Sequence, residues 1–407
     1  MEKVTRTKDA HATRGRRSVV AFGVAALLVA AGCSSQSSST STTAAVTTTT
    51  SATTVRIGLE GPLTGSQSSV GIGMLDAARL AATNLNASGG ILGKKVVIVP
   101  IDDKADPATG VAAATRAIAS GLNGVVGPYN SGVGIKTLPL YLKAGLVPIR
   151  LTSANSTEGL GVTLQPMTSQ IAPVATAAIT DWKKAGSVAL IYDKTQTYTV
   201  DANSAMTSSL KAAGVTITSD TAIVPGKKSY ASTIATVDAT HPQLIYIITY
   251  YPEAGLIAKA MFEAKSPTQC LADFGAYDNE FIPTAGIAAA KNCPVVGVPA
   301  PNDFANSASI VDLYTTTFHT APGTWSPYAY DSVQILANAA TSAGGFSSAK
   351  LKAALNAQSD WMGWTGSVSF PAATGDRVPP SVAVVVSNDA GEFHEDRSWA
   401  AATNASF

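Results

Sequence analysis

The chain has 407 residues, 46% of them hydrophobic and 14% charged, and a formal net charge of +1. At roughly 150 residues per domain, this is room for about two domains with a sizeable core. Residues 1–32 hold six of the 28 basic and two of the 27 acidic residues, so the remainder carries a net charge of −3 and offers no basic field for nucleic acid.

A basic stretch ending in Arg14-Gly15-Arg16-Arg17 precedes the apolar run 19–31. The run is too short to span a membrane and ends in small residues, which predicts a secretory signal over residues 1–32. Ala30-Ala31-Gly32-Cys33 resembles a bacterial lipobox, with Ala30 where the pattern prefers Leu. That implies a lipidated Cys33 as the new N-terminus; an ordinary cleavage site beside a stray cysteine is the alternative. Residues 33–54 are almost entirely Ser, Thr and Ala. With no apolar period they read as a tether, suited to a domain working at the outer face of a membrane.

From residue 55 the pattern alternates. A strand over 55–59 leads through the turn 61–65 to a helix over 73–85, where Met74, Leu75, Ala78, Ala81, Ala82 and Leu85 recur at helical spacing. Asn86 to Gly90 stops it. A strand over 95–101 ends at Asp102-Asp103, and Pro107 opens a helix through Val111, Ala114 and Ile118. A strand over 124–127, a helix to Lys143 and a strand over 146–149 follow. The rhythm resumes with helices over 173–184, 201–213, 230–239 and 253–264, and strands over 187–192, 215–223 and 243–249. This predicts an α/β fold of parallel sheets with helices on both faces, in two successive units. The stretch Val125-Val126-Gly127-Pro128-Tyr129-Asn130-Ser131-Gly132 is a buried strand entering a polar turn and then a helix. Ligands gather at that edge of an open α/β sheet, and a helix beginning near Ser131 aims free N–H groups at an anion.

Catalytic patterns are absent. Gly226-Lys227-Lys228-Ser229 lacks the upstream glycine of a phosphate loop. No Gly-x-Ser-x-Gly elbow occurs, and His241, His319 and His394 are scattered. Asp102 and Asp103 close a strand and cap the turn before Pro107. No Cys/His cluster has metal-ligand spacing, so neither metal nor cofactor is expected. Cys270 and Cys293, two thiols in an exported domain, are expected to pair as a disulfide.

Several stretches in fixed order resemble the substrate-binding proteins of branched-chain amino acid ABC importers. They are Gly61-Pro62-Leu63-Thr64-Gly65, Asn84-Leu85-Asn86-Ala87-Ser88-Gly89-Gly90-Ile91-Leu92-Gly93-Lys94-Lys95 and Asp102-Asp103-Lys104-Ala105-Asp106-Pro107. Gly127-Pro128, Tyr250-Tyr251-Pro252-Glu253, Tyr328-Ala329-Tyr330-Asp331 and Gly366-Ser367-Val368-Ser369-Phe370 complete the set. The resemblance implies a type I periplasmic binding fold: two similar three-layer lobes with parallel central sheets, joined by three hinge crossings near 165–173, 295–301 and 363–370. Lobe 1 would hold residues 55–168 and 298–365, and lobe 2 residues 169–297 and 366–407. The lobes would close on a ligand by hinge motion.

It also implies a site. Ser131 falls where the family's carboxylate-binding serine lies, with Tyr129 beside it as a wall. Ala154-Asn155 forms a second anchor where the family has Ala-Thr or Ala-Ser. Tyr198 and Tyr250 would wall the cleft from the second lobe. Asp278 would meet an ammonium group, with Tyr277 as the alternative at that place. The implied role is a monomeric solute-binding protein, not an enzyme, that hands an amino acid or a related amide or carboxylate to an ABC permease. The alternative is a ligand sensor coupled to a signalling receptor.

Overall fold

The computed structural model describes residues 54–305 and 307–403. The signal, Cys33 and the tether up to Thr53 lie outside them. No helix among the described residues is long and apolar enough to cross a membrane.

The first sheet grows from β1 (Thr54–Gly61), β2 (Lys95–Asp102), β3 (Gly124–Val126), β4 (Pro148–Arg150) and β5 (Val162–Thr163). Its order is β2-β1-β3-β4-β5 and every pairing is parallel. Helices α1 (Ser68–Ala87), α2 (Pro107–Ala119) and α3 (Ser131–Lys143) are the crossovers. The Asp106 side chain caps α2 by accepting from the Thr109 N–H at 2.7 Å, with proline in the first turn, where no intrahelical N–H is needed. Helix α1 begins five residues before the expected start: its first turn, Ser68-Ser69-Val70-Gly71, has Val70 as its one apolar residue, buried four residues ahead of Met74.

The second sheet is built after α4 (Thr168–Ala177), from β6 (Ser187–Asp193), β7 (Thr216–Ile223), β8 (Leu244–Ile248) and β9 (Gln269–Ala272). Helices α5 (Thr197–Ala212), α6 (Ala231–Asp238) and α7 (Tyr251–Glu263) connect them, and short α8 (Phe281–Ala285) and α9 (Ile287–Lys291) lead to β10 (Val295–Gly297). The chain then leaves for α10 (Ala308–Phe318), α11 (Ser326–Ala343), α12 (Ser348–Ala357) and the two-stranded ribbon β11 (Trp361–Gly363) and β12 (Gly366–Val368). Helix α11 packs against α1 and so serves the first lobe. Finally β13 (Ala383–Ser387) and β14 (Phe393–Glu395) return to the second sheet, with α13 (Arg397–Thr403) at the end. The order is β14-β13-β10-β9-β8-β6-β7; β13 and β14 are antiparallel additions to an otherwise parallel sheet. β8 is buried at every position, as a central strand covered on both faces must be.

The third passage between the sheets falls later than the 363–370 expected. Asp376 bridges Thr163 of β5, whose N–H donates to the Gly375 carbonyl at 2.9 Å, and the chain re-enters the second sheet only at Ala383. Cys270 of β9 and Cys293 before β10 lie with Cα atoms 4.7 Å apart and are joined as a disulfide.

Candidate functional site

The edge anticipated after β3 is where the two lobes meet. Gly127 has φ +96°, a left-handed backbone that glycine accepts freely. Its N–H donates to the Ile149 carbonyl of β4 at 2.9 Å. The chain then rises through Tyr129 to Ser131, the first residue of α3. The loop after β4 closes on it: the Ala154 N–H donates to Ser131 Oγ at 3.2 Å. Ser131's own hydroxyl proton is therefore free to point elsewhere. One residue back, Ser153 Oγ donates to Gln165 Oε1 at 3.1 Å, which fixes the amide so that Nε2 is its other face. Gln165 is 1% exposed, and Nε2 has no protein partner.

From the second lobe come Tyr198 in the first turn of α5, Tyr250 just before α7, and Phe274-Gly275 after β9. Tyr129, Ser131, Ser153, Gln165, Tyr198, Tyr250, Phe274 and Gly275 enclose one cavity. It admits the centre of a water molecule over about 10 Å³, room for about one water, so the lobes stand closed. The rings form a continuous wall across the lobes: Tyr129–Tyr250 centroids are 6.1 Å apart, Tyr198–Tyr250 6.0 Å and Tyr198–Phe274 6.5 Å. Trp325, just before α11, backs this wall at 5.8 Å from Tyr129 and 4.9 Å from Phe274.

Four expected residues, Tyr129, Ser131, Tyr198 and Tyr250, are thus brought together. Three are not. Ala154 supports Ser131 through its backbone but does not line the cavity. Asn155 gives its N–H to Asp201 of α5 at 2.9 Å, and Thr168 donates to the same carboxylate oxygen. This is a contact between the lobes outside the cavity. Asp278 faces a different place. Its Oδ1 lies 3.0 Å from Ser69 Oγ on α1 and accepts from the Glu280 N–H at 2.9 Å. Tyr251 sits 2.9 Å from the same Ser69 oxygen and donates to the Ser66 carbonyl at 2.8 Å, so this cluster also joins the lobes. Burial pushes Asp278 up to about 6. Tyr277 is fully buried against Trp325 and Phe393, not in the cavity. Ser153, Gln165, Phe274 and Gly275 were not singled out. Ser153 stands directly before the expected Ala154-Asn155 anchor and Phe274-Gly275 shortly before the expected Asp278, whereas Gln165 opens the expected 165–173 crossing as a loop glutamine with no periodic signal.

The nearest acid behind the rings is Asp273. Its two oxygens accept from the Tyr198 hydroxyl at 2.5 Å and the Tyr246 hydroxyl at 2.6 Å. Burial raises its carboxyl and these bonds draw it back. Beneath the β1 and β2 ends lie Glu60 and Asp103, both fully buried. Burial, foremost, pushes Asp103 up to about 7. The unfolded chain releases that proton near pH 4, where an ordinary aspartate titrates. Between those values the folded chain holds a proton that the unfolded chain has lost, so stability falls as pH rises to about 7 and then levels off. Asp103→Asn keeps the oxygen that accepts the Ala105 N–H at 2.8 Å and removes the ionisation. It is expected to raise the urea midpoint at pH 8 and to change it little at pH 4; an equal shift at both would exclude Asp103 as the titrating group.

Comparison with known proteins agrees with this architecture. A family model described as "Periplasmic binding protein" matches residues 54–392. The "Leu/Ile/Val-binding protein homolog 2" of Brucella abortus is 28% identical over 333 residues, covering 81% of this chain and 89% of that protein. Homolog 1 of the same organism is 30% identical over 295 residues, covering 71% and 79%. The crystal structure of the branched-chain amino acid transporter substrate binding protein LivJ from Streptococcus pneumoniae, in complex with isoleucine, superposes with a TM-score of 0.76 at 25% identity, over 84% of this chain and 97% of that one. With two sheets of this topology closing over one cavity between them, the chain belongs to the periplasmic binding protein family, as a solute-binding protein and not an enzyme.

Proposed function

We propose that the cavity captures a small carboxylate-bearing solute, an amino acid or a related amide or carboxylate, for delivery to an ABC permease. One observation carries this reading: two hydrogen-bonding groups of the first lobe, Ser131 and Gln165, keep a donor free at the cavity, while Ser153 donates its hydrogen bond to Gln165. Ser131 already accepts from Ala154, and Gln165 already accepts from Ser153, so each turns a proton toward the cavity. Ser131 also opens α3, whose unsatisfied N–H groups and dipole favour negative charge. The Leu/Ile/Val-binding names of the curated relatives support an amino acid or something near it. Ligand contacts from both lobes would favour the closed form, which couples capture to the shape a permease reads.

The rest of the reading follows from the sequence. Residues 1–32 direct export, Cys33 carries the lipid, and the tether from residue 33 to Thr53, since Thr54 already belongs to β1, lets the domain, a monomer, reach its permease. Lobe 1 holds residues up to about 168 and again from about 298; lobe 2 holds the intervening segment and the C-terminal strands.

Ser131→Ala and Gln165→Ala are each expected to weaken ligand binding by about 10-fold to 100-fold, the loss of one hydrogen bond to a charged group. Calorimetric titration of unfolded and refolded protein with amino acids, amides and carboxylates tests this. Unchanged affinity in both variants would place the carboxylate elsewhere.

A further inference from the structure

The charge balance of the cavity narrows the ligand further. The inference rests on the reading above, a carboxylate held at Ser131 and Gln165. Of the eight lining residues none is charged: four are aromatic, three are neutral and polar, and one is glycine. A primary ammonium group brings three N–H donors and a charge that a carboxylate best offsets; Ser153 Oγ and the tyrosine oxygens can accept a hydrogen bond but supply no counter-charge. The acids nearby do not line the cavity and already accept hydrogen bonds. Asp273 accepts two tyrosine hydroxyls, Asp278 is held by Ser69 and the Glu280 N–H, and Asp193 accepts from the Thr195 N–H at 2.8 Å. A bare anion fits no better, because a buried charge with no counter-charge is costly.

A ligand that satisfies these constraints is neutral overall, anionic at the Ser131 end, and cationic without N–H groups at the aromatic end. Ring faces stabilise such a cation with no hydrogen bond, and caging by several rings is how alkylated ammonium groups are held. We infer that the cavity, once the lobes part far enough to admit more than the single water it has room for when closed, selects a betaine, a carboxylate whose nitrogen is fully alkylated, over the free amino acid, with Tyr129, Tyr198, Tyr250 and Phe274 forming the cage.

The test is calorimetric titration of the full chain, unfolded and refolded to strip carried ligand. The probes are glycine betaine and proline betaine, their parents glycine and proline, then leucine and benzoate. At least one betaine is expected to bind tenfold or more tighter than its parent and than leucine. Tyr250→Leu is expected to cost that betaine about tenfold or more, while Tyr250→Phe, which keeps the ring, retains most of the affinity. Leucine or a parent amino acid binding as tightly as the betaines would overturn the inference and leave the carboxylate reading standing. So would binding of benzoate alone. Equal losses in the Leu and Phe variants would overturn the cage. Failure of every carboxylate would remove the inference and the reading beneath it together. If Tyr250→Leu does not melt cooperatively, the betaine-to-parent ratio of the unaltered chain decides.

Discussion

Arg150→Ala is expected to destabilise the domain by about 3–5 kcal/mol, read as a fall in melting temperature of about 4–7 °C for a domain of this size. The guanidinium is wholly buried at the end of β4. One nitrogen lies 2.5 Å from Asp376 Oδ1; the other donates to the Thr152 carbonyl at 3.2 Å and approaches Thr157 Oγ1 at 3.4 Å. Burial draws the guanidinium below its usual range, and Asp376 opposes that. One side chain thus ties the sheet edge, the loop carrying Ser153 and the strap returning toward the second lobe. Removing it leaves the mostly buried Asp376 carboxylate without its counter-charge, and that stranded charge dominates the cost. Replacing both partners, Arg150→Met with Asp376→Leu, should therefore recover much of the loss. An unchanged melting temperature in Arg150→Ala would show that the pair contributes nothing.

Gly127→Ala is expected to cost more than about 3 kcal/mol, because two penalties add. The left-handed backbone alone costs a residue with a Cβ about 1–2 kcal/mol. Here the new Cβ would also stand 2.1 Å from the Glu60 carbonyl oxygen, so the end of β1 must move. Gly121 separates the two, since its φ is +82° and nothing lies within 4 Å of its Cβ position. Gly121→Ala should show the backbone cost alone. Denaturant unfolding of both variants tests this; equal losses would mean that the close approach at Gly127 relaxes without cost.

The parallel framework was legible as far as Glu263, apart from the two-residue β5, because most helices there show an apolar period and most strands a short apolar run between turn residues. Beyond it the signal fades for physical reasons. β10 has three residues and takes its partners from distant β13 and adjacent β9, so its identity is set by tertiary pairing. Helix α11 buries Ser326, Asp331 and Ser332 along with its apolar residues, which blurs any stripe. In the site, Tyr129, Ser131, Tyr198 and Tyr250 were legible because each stands where a strand gives way to a helix. Asp278 stands apart from the cavity because the turn after Gly275 carries the chain on toward Ser69 of α1. Gln165 had no pattern to betray it, since its role depends on Ser153 holding its amide by one oxygen.

The interleaving of the two lobes bears on how the chain is made. The strands of the first sheet are complete by Thr163, yet α11, which packs on α1, begins only at Ser326. In the second sheet β10 needs β13, which begins at Ala383. A chain emerging N-terminus first therefore holds two unfinished layers at once, each with apolar surface or an open strand edge waiting for residues not yet delivered. Such species aggregate readily. A chain released anywhere before Ala383 leaves β10 as an open edge. The carboxyl-terminal strands thus act as the last clasp of biogenesis, and shielding during export matters most in the interval before they arrive.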